Sequence, residues 1–212
     1  PFLVSFHGWR SSGIVQQISD QFGVVGEEGN FVVAWPDGHN DHRSGVGLWN
    51  SWHGVGSAES PGPEGATCTN DDDFCYASCE ARPQGCHRCD WTTCVDDVAF
   101  VEALLDTMER ALCLDLDMLY ATGFSNGGMF AWQAGMSLAH RFAAVAPGGG
   151  QPFVGFVDPP DLSGGNRISN LDFHGLDDVV CPPFGGESGG SDTQRGWIYA
   201  AVSHGLRVWA EA

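Results

Sequence analysis

Lysine is absent from this 212-residue chain; all nine of its basic residues are arginine. That absence excludes Schiff-base chemistry on a lysine and any Gly-x-x-x-x-Gly-Lys phosphate loop. Positive charge is scarce altogether: nine Arg oppose 27 Asp and Glu, for a formal net charge of −18. So acidic a chain is a poor partner for nucleic acid or an anionic membrane, and the imbalance concerns solubility rather than fold. No apolar run approaches the roughly 20 residues that span a bilayer. No leader segment is visible either. Pro1 opens directly into the buried-type strand Phe2-Leu-Val-Ser-Phe6, so the chain reads as a piece of a longer protein.

The apolar share, 42%, is ordinary for a globular protein. The length suits one domain, over 1–212, with a sizeable core. Cysteine is unevenly placed. Cys68, Cys75, Cys79, Cys86, Cys89 and Cys94 cluster, while Cys113 and Cys181 lie apart. An even cluster in a segment rich in Gly, Pro and Asp reads as a disulfide-stapled insertion, over 39–94. Cys86-His-Arg-Cys89 has zinc-like spacing, but no second pair at ribbon or finger spacing accompanies it. A redox Cys-x-x-Cys should open a helix, and this one does not. Asp71-Asp-Asp73 lacks the alternating spacing of a calcium loop and reads as solvated. No metal site is therefore expected. Disulfides imply an oxidising compartment, hence secretion.

Along the chain, apolar runs alternate with helical patterns. Strands are expected at Phe2–Phe6, Asn30–Trp35, Leu119–Phe124, Phe142–Ala146 and, less apolar, Ile168–Phe173. Helices are expected over Ile14–Phe22, from the capping-box pattern Thr93-Cys-Val-Asp96 onward, over Met129–His140 and over Trp197–Ala210. Val98, Val101, Leu105, Met108 and Leu112 form one face of the second of these. Residues 39–92 read as loop, with Trp35, Trp49, Trp52 and Trp91 in or beside it. Strands alternating with helices predict a mainly parallel sheet with helices on both faces.

Gly-x-Ser-x-Gly occurs twice, at Gly123–Gly127 and at Gly186–Gly190. Ser188 has turn residues on both sides. Ser125 follows an apolar strand and precedes a helical segment, which is the nucleophile elbow of an α/β-hydrolase. A serine hydroxyl needs a base to accept its proton, normally a histidine held by a carboxylate. In this fold the order is Ser, acid, His. Phe173-His-Gly-Leu-Asp-Asp178 is well placed for the acid, and periodicity does not choose between Asp177 and Asp178. The oxyanion needs two backbone N–H donors: Asn126, after the nucleophile, and the loop His7-Gly-Trp9. His7 reads as structural. Such chemistry needs no cofactor.

These residues resemble the secreted esterases related to polyhydroxybutyrate depolymerases, feruloyl esterases and acetylxylan esterases. The matching blocks are Phe6-His-Gly-Trp9, Trp35-Pro-Asp-Gly38, Ser51-Trp-His-Gly54, Val95-Asp-Asp-Val-Ala-Phe100, Tyr120–Met129, Phe142-Ala-Ala-Val-Ala-Pro147 and His174-Gly-x-x-Asp178. The resemblance implies Asp178 as the acid and the Trp9 N–H as the second oxyanion donor. It implies hydrolysis of acyl esters on polysaccharide or of a polyester. Trp49 and Trp52 are then expected in a substrate loop. The chain departs from the family in its cysteine-rich insertion and in Cys181-Pro-Pro after the acid. The family's histidine lies in a Gly-His block beyond the helix that here holds Trp209, so the base is expected past Ala212. His204 is the one histidine after Asp178. By helix geometry it lies roughly 155° from the apolar stripe Ile198/Val202/Leu206/Trp209, toward solvent. Two other readings share the scaffold: a non-catalytic carbohydrate- or surface-binding protein, and a serine peptidase. Oligomeric state is not legible.

Overall fold

A computed structural model describes residues 1–42, 48–57, 61–69, 76–83, 89–165, 167–190 and 196–212. The strands in chain order are β1 (Phe2–Phe6), β2 (Val32–Ala34), β3 (His39–His42), β4 (Leu48–Ser51), β5 (Leu119–Phe124), β6 (Ala144–Gly148), β7 (Ser169–Asn170), β8 (Gly186–Glu187) and β9 (Ile198–Tyr199). The helices are α1 (Gly13–Asp20), α2 (Phe22–Gly29), α3 (Ala77–Glu80), α4 (Asp97–Ala111), α5 (Asn126–Ser137) and α6 (Val202–Ala210). The central sheet runs β2-β1-β5-β6-β7, and every pairing in it is parallel.

Burial explains why β1 and β5 lie at its centre. Phe2, Val4 and Phe6 point to one face and are fully buried; Ser5 points to the other and is buried too. A strand covered on both faces belongs inside a parallel sheet with helices on either side. Phe6 packs edge-on against Phe130 of α5, at 4.8 Å between ring centroids. Ser5 instead donates a 2.7 Å hydrogen bond to Asp20 of α1. Successive strand residues face opposite ways, so α5 and α1 lie on opposite faces.

Helix α5 is the central buried helix, with ten of its 12 residues buried. Its Trp132 meets Trp209 of α6 edge-on at 5.5 Å, and Trp209 donates to the Ile168 carbonyl at 2.9 Å. Helix α4 begins at Asp97, capped by Asp96, whose carboxylate accepts from Ala99 N at 2.9 Å. The cap is thus Asp96 rather than Thr93. Val101 and Leu105 are buried as the periodicity predicts, while Leu112 lies beyond the last turn and is exposed.

Two segments differ from expectation. Residues 39–92 are more than loop: β3 and β4 form an antiparallel hairpin, and α3 follows. This segment also enters the main core through Trp52, Val55 and Trp91. Residues 197–201 are not helical; Ile198–Tyr199 is strand β9, paired antiparallel with β8, and α6 starts at Val202. The expected strand over Ile168–Phe173 contracts to β7 plus one bridge, Gly148 to Phe173. Its Leu171 and Phe173 are exposed, so nothing covers that outer face among the described residues.

Cys68 is bonded to Cys89 and Cys79 to Cys94. Cys89 is therefore not available to the Cys86-x-x-Cys89 zinc pair. Cys75, Cys86 and Asp71–Asp73 lie outside the described residues. Cys113 and Cys181 are free thiols.

Candidate active site

Ser125 stands in the turn between β5 and α5 with φ 55° and ψ −120°, a conformation that non-glycine residues seldom adopt. Such strain persists only where the surroundings over-determine it. Here they do. Ser125 N donates to the Gly148 carbonyl of β6 at 2.8 Å, and Ser125 O accepts from Met129 N in α5 at 2.9 Å. The flanking glycines leave no room for a side chain. A Cβ on Gly123 would come within 2.3 Å of Gly127 O, and one on Gly127 within 2.2 Å of Phe6 O. The Gly-x-Ser-x-Gly pattern is thus a packing requirement of three backbone segments.

The loop after β1 closes over the serine. A Cβ on Gly8 would meet Ser125 Cβ at 3.6 Å, so the backbone of Gly8 and Trp9 runs beside the nucleophile position. His7 fixes that loop. Its Nε2 accepts from Gly38 N at 2.8 Å, which leaves Nδ1 as the donor to Gly8 O at 2.7 Å. Desolvation pushes the His7 pKa down, so the ring stays neutral. Asn126, at the start of α5, belongs to the first turn, whose N–H groups have no intrahelical acceptor. Its side chain is a clamp: Oδ1 accepts from Trp52 N at 2.8 Å and Nδ2 donates to Trp52 O at 3.0 Å.

Trp52 itself departs from expectation. It is fully buried, stacked on Phe130 at 5.2 Å with an interplanar angle of 8°, and donates to His7 O. It is a core side chain and not a substrate-loop residue, because covering α5 buries more apolar surface than solvent contact allows. The Trp49 side chain lies outside what the structure describes.

Asp178 sits in the loop after β7. Its Oδ1 accepts from Val180 N at 2.8 Å and Cys181 N at 2.9 Å. Oδ2 stands 3.8 Å from His174 Nε2. Asp177, beside it, is exposed. His174 organises the loop: Nδ1 faces Asp172 Oδ1 at 3.2 Å, and Nε2 faces Cys181 O at 2.7 Å. With acceptors on both nitrogens the imidazolium is favoured. The Asp172 hydrogen bond, against the opposing cost of burial, raises its pKa. Cys181 is buried, and desolvation pushes its thiol up to about 12, so it carries no thiolate at neutral pH.

These pieces border one cleft of about 600 Å³. Ser125 and Met129 lie in it beside Gly8 and Trp9; Val180 and Cys181 bring in the Asp178 loop. Trp91, Trp197, Tyr199 and Phe124 form aromatic walls, and Ser11, Gln16, Ser19 and Asp20 a polar end. No histidine stands among the described lining residues. His204 is exposed on α6. Ser188 is buried, and its Oγ accepts from Trp197 N at 2.9 Å, a structural role in the β8–β9 pair.

Sequence reasoning did not single out Gln16, Asp20, Trp197 or Tyr199. Nothing local marks them, since their place in the cleft follows from which face α1 and β9 present. A second hollow of about 270 Å³ lies at the α4 N-terminus. Its Asp97 is raised to about 7 by desolvation, against the opposing hydrogen bond from His53 N at 2.7 Å.

No protein-family model matches the chain. A probable feruloyl esterase C of Aspergillus niger is 38% identical over 92 residues, 43% of this chain and 32% of that one. The match thus spans about a third of that protein's length. Feruloyl esterase C of Emericella nidulans is 31% identical over 88% of this chain and 71% of its own. Among solved structures, a variant of Arabidopsis thaliana SOBER1 superposes with a TM-score of 0.56 at 19% identity, covering 99% of this chain and 82% of that one. That likeness carries the α/β-hydrolase fold, with its mostly parallel sheet. On the strength of the Emericella match, the chain belongs to the feruloyl esterase C family of α/β-hydrolases.

Proposed function

We propose that this protein is a secreted serine esterase that hydrolyses carboxylic esters, feruloyl or acetyl groups on polysaccharide, through an acyl-enzyme on Ser125. The strained Ser125 backbone, with its side chain lining an open cleft, carries the reading. In the proposed mechanism, Ser125 Oγ attacks the ester carbonyl while a histidine removes its proton. The N–H groups of Trp9 and Asn126 hold the oxyanion, and the same histidine protonates the departing alkoxide. Water then attacks the acyl-enzyme by the reverse sequence of proton transfers. Asp178 orients the histidine, its own carboxylate steadied by two backbone N–H groups. His7 is committed to the β1 loop and His174 to the Asp178 loop. The base is assigned, as in the resembling family, to a Gly-His block following α6.

Secretion is supported by the two disulfides. The charge of −18 supports a neutral carbohydrate or polyester partner over nucleic acid or an anionic membrane. One domain over 1–212, with 39–94 as an insertion that shares its core, is the organisation we infer.

A fluorophosphonate probe tests the nucleophile. In a chain extended through the following Gly-His block, label should fall on Ser125 and vanish in Ser125→Ala, with hydrolysis of a p-nitrophenyl ester falling by about 10³-fold or more. Label on Ser188, or an unchanged rate in Ser125→Ala, would overturn the assignment. On the 212-residue chain alone, hydrolysis should run several orders of magnitude slower than on the extended one, and His204→Ala in the latter should change little.

A further inference from the structure

Trp52 is fully buried, and it is bonded to both segments that carry the proposed oxyanion donors. On one side lies the first turn of α5. Trp52 N donates to Asn126 Oδ1 at 2.8 Å, and Trp52 O accepts from Asn126 Nδ2 at 3.0 Å. The reciprocal pair fixes which way the amide is turned. On the other side lies the loop after β1. The indole Nε1 donates to His7 O at 3.0 Å, two residues before Trp9. Gly127, next to Asn126, lies against the same carbonyl: a Cβ there would come within 2.5 Å of His7 O. The indole has little freedom. It stacks on Phe130 at 5.2 Å and meets Phe6 and His7 at 5.1 Å each. The strap that carries Trp52 is anchored at further points. His53 N donates to Asp97 Oδ2 at the start of α4, at 2.7 Å, and Val55 N to Gln133 Oε1 on α5, at 2.9 Å. Asn126 and Gln133 are about two helical turns apart, so the strap grips α5 along one face.

On the reading that Ser125 is the nucleophile, we propose that Trp52 is a positioning residue that sets the separation of the two oxyanion donors, the N–H groups of Trp9 and Asn126. A buried indole needs some acceptor for its N–H. That need does not account for an acceptor on one donor segment while the main chain of the same residue clasps the other. Charge builds on the carbonyl oxygen only as the tetrahedral intermediate forms, so donors held at a fixed separation favour that state over the bound ester. A misplacement of about 1 Å in such a site costs on the order of 100-fold in rate. Trp52 acts from the core, behind both donors and out of reach of the substrate.

The test is steady-state hydrolysis of a p-nitrophenyl acyl ester by the full-length protein. Trp52→Phe releases the His7 end of the bracket. Asn126→Ala releases the α5 end and keeps the N–H of residue 126. Each should lower kcat roughly 10- to 100-fold and leave KM within about 2-fold, because the lost alignment matters only in the transition state. Val101→Ala is the control for stability alone. It opens a cavity under α4, where Val101 is fully buried, so it should lower the urea midpoint and leave kcat within about 2-fold. Replacing the Trp52 indole by benzothiophene keeps the shape and removes the N–H; it should lower kcat roughly 10-fold, and it decides the case where Trp52→Phe does not fold. An unchanged kcat in the benzothiophene protein overturns the proposal. So does a fall in kcat that Val101→Ala matches, or a raised KM at unchanged kcat. Ser125→Ala is read separately. A full rate there rejects the esterase reading itself; a lost rate there, with kcat unchanged in the Trp52 variants, rejects the bracket and keeps the esterase.

Discussion

Ser125 and Ser188 share a five-residue pattern, and the structure separates them by environment. Ser125 faces the cleft in a strained turn; Ser188 is 3% exposed and bonded to Trp197. The same contrast applies to histidine. His7 is held neutral by burial, while His174, between Asp172 and the Cys181 carbonyl, has its pKa raised. Asp178 also faces His174, at 3.8 Å from its Nε2. A raised pKa means that the folded state binds the proton more tightly than the unfolded state. The stabilisation is fully present below the ordinary imidazole pKa of about 6.5 and is lost as pH rises through the higher folded value. His174→Gln removes the titration. Urea midpoints of the unaltered chain should therefore fall more between pH 6 and pH 8.5 than those of His174→Gln. Parallel curves would show that His174 does not hold the Asp178 loop as an imidazolium.

At the level of elements, α5 decides the most. It carries the Ser125 turn at one end, packs Phe130 on β1, and seats α6 through Trp132. Gly135 makes that seat possible. A Cβ there would lie 2.6 Å from Trp209 Cη2 and 3.0 Å from Val145 on β6. Gly135→Ala should therefore destabilise the chain by about 1–3 kcal/mol, because overpacking outweighs the gain in helix propensity of about 1 kcal/mol. A chemical-denaturation midpoint at or above that of the parent would refute this packing account. Helix α1 shows the opposite logic: a polar face is buried because Asp20, Gln16, Ser5 and Trp35 satisfy one another.

For the molecule as a whole, the insertion at 39–94 is tied in twice over. Cys68–Cys89 and Cys79–Cys94 close separations of 21 and 15 residues. Cys68 also bridges to Trp197, and Tyr76 accepts from Trp9 Nε1 while donating to Trp91 O, so the staples stand behind the cleft walls. Opening either bond should cost on the order of 2–4 kcal/mol by releasing the unfolded chain. The expected readout is a lower guanidinium midpoint for Cys79→Ala/Cys94→Ala and for Cys68→Ala/Cys89→Ala. Loss of the second pair should also slow ester hydrolysis, since it frees the Trp197 side of the cleft. Midpoints equal to the parent would mean that packing alone holds the insertion.

Several features were determined by the chain itself. Apolar runs at Phe2–Phe6 and Leu119–Phe124, bounded by turn residues, read as inner strands of a sheet, and they are β1 and β5. The spacing of Val101 and Leu105 sets the inner face of α4, and glycines at 123 and 127 mark a turn that tolerates no side chain. Periodicity and turn chemistry are local, so they survive in one dimension. Other features depended on contacts between distant segments. Trp52 is bonded to Asn126, 74 positions away, and only that pairing moves it from a loop into the core. Thr69, 118 positions before Glu187, donates to it across the molecule. Gln16 is buried on α1 because Ser5 of β1 and Asp20 accept from its amide. A hydrogen-bond donor chooses its acceptor by position in space, and that choice is made when the sheet and its helices have packed.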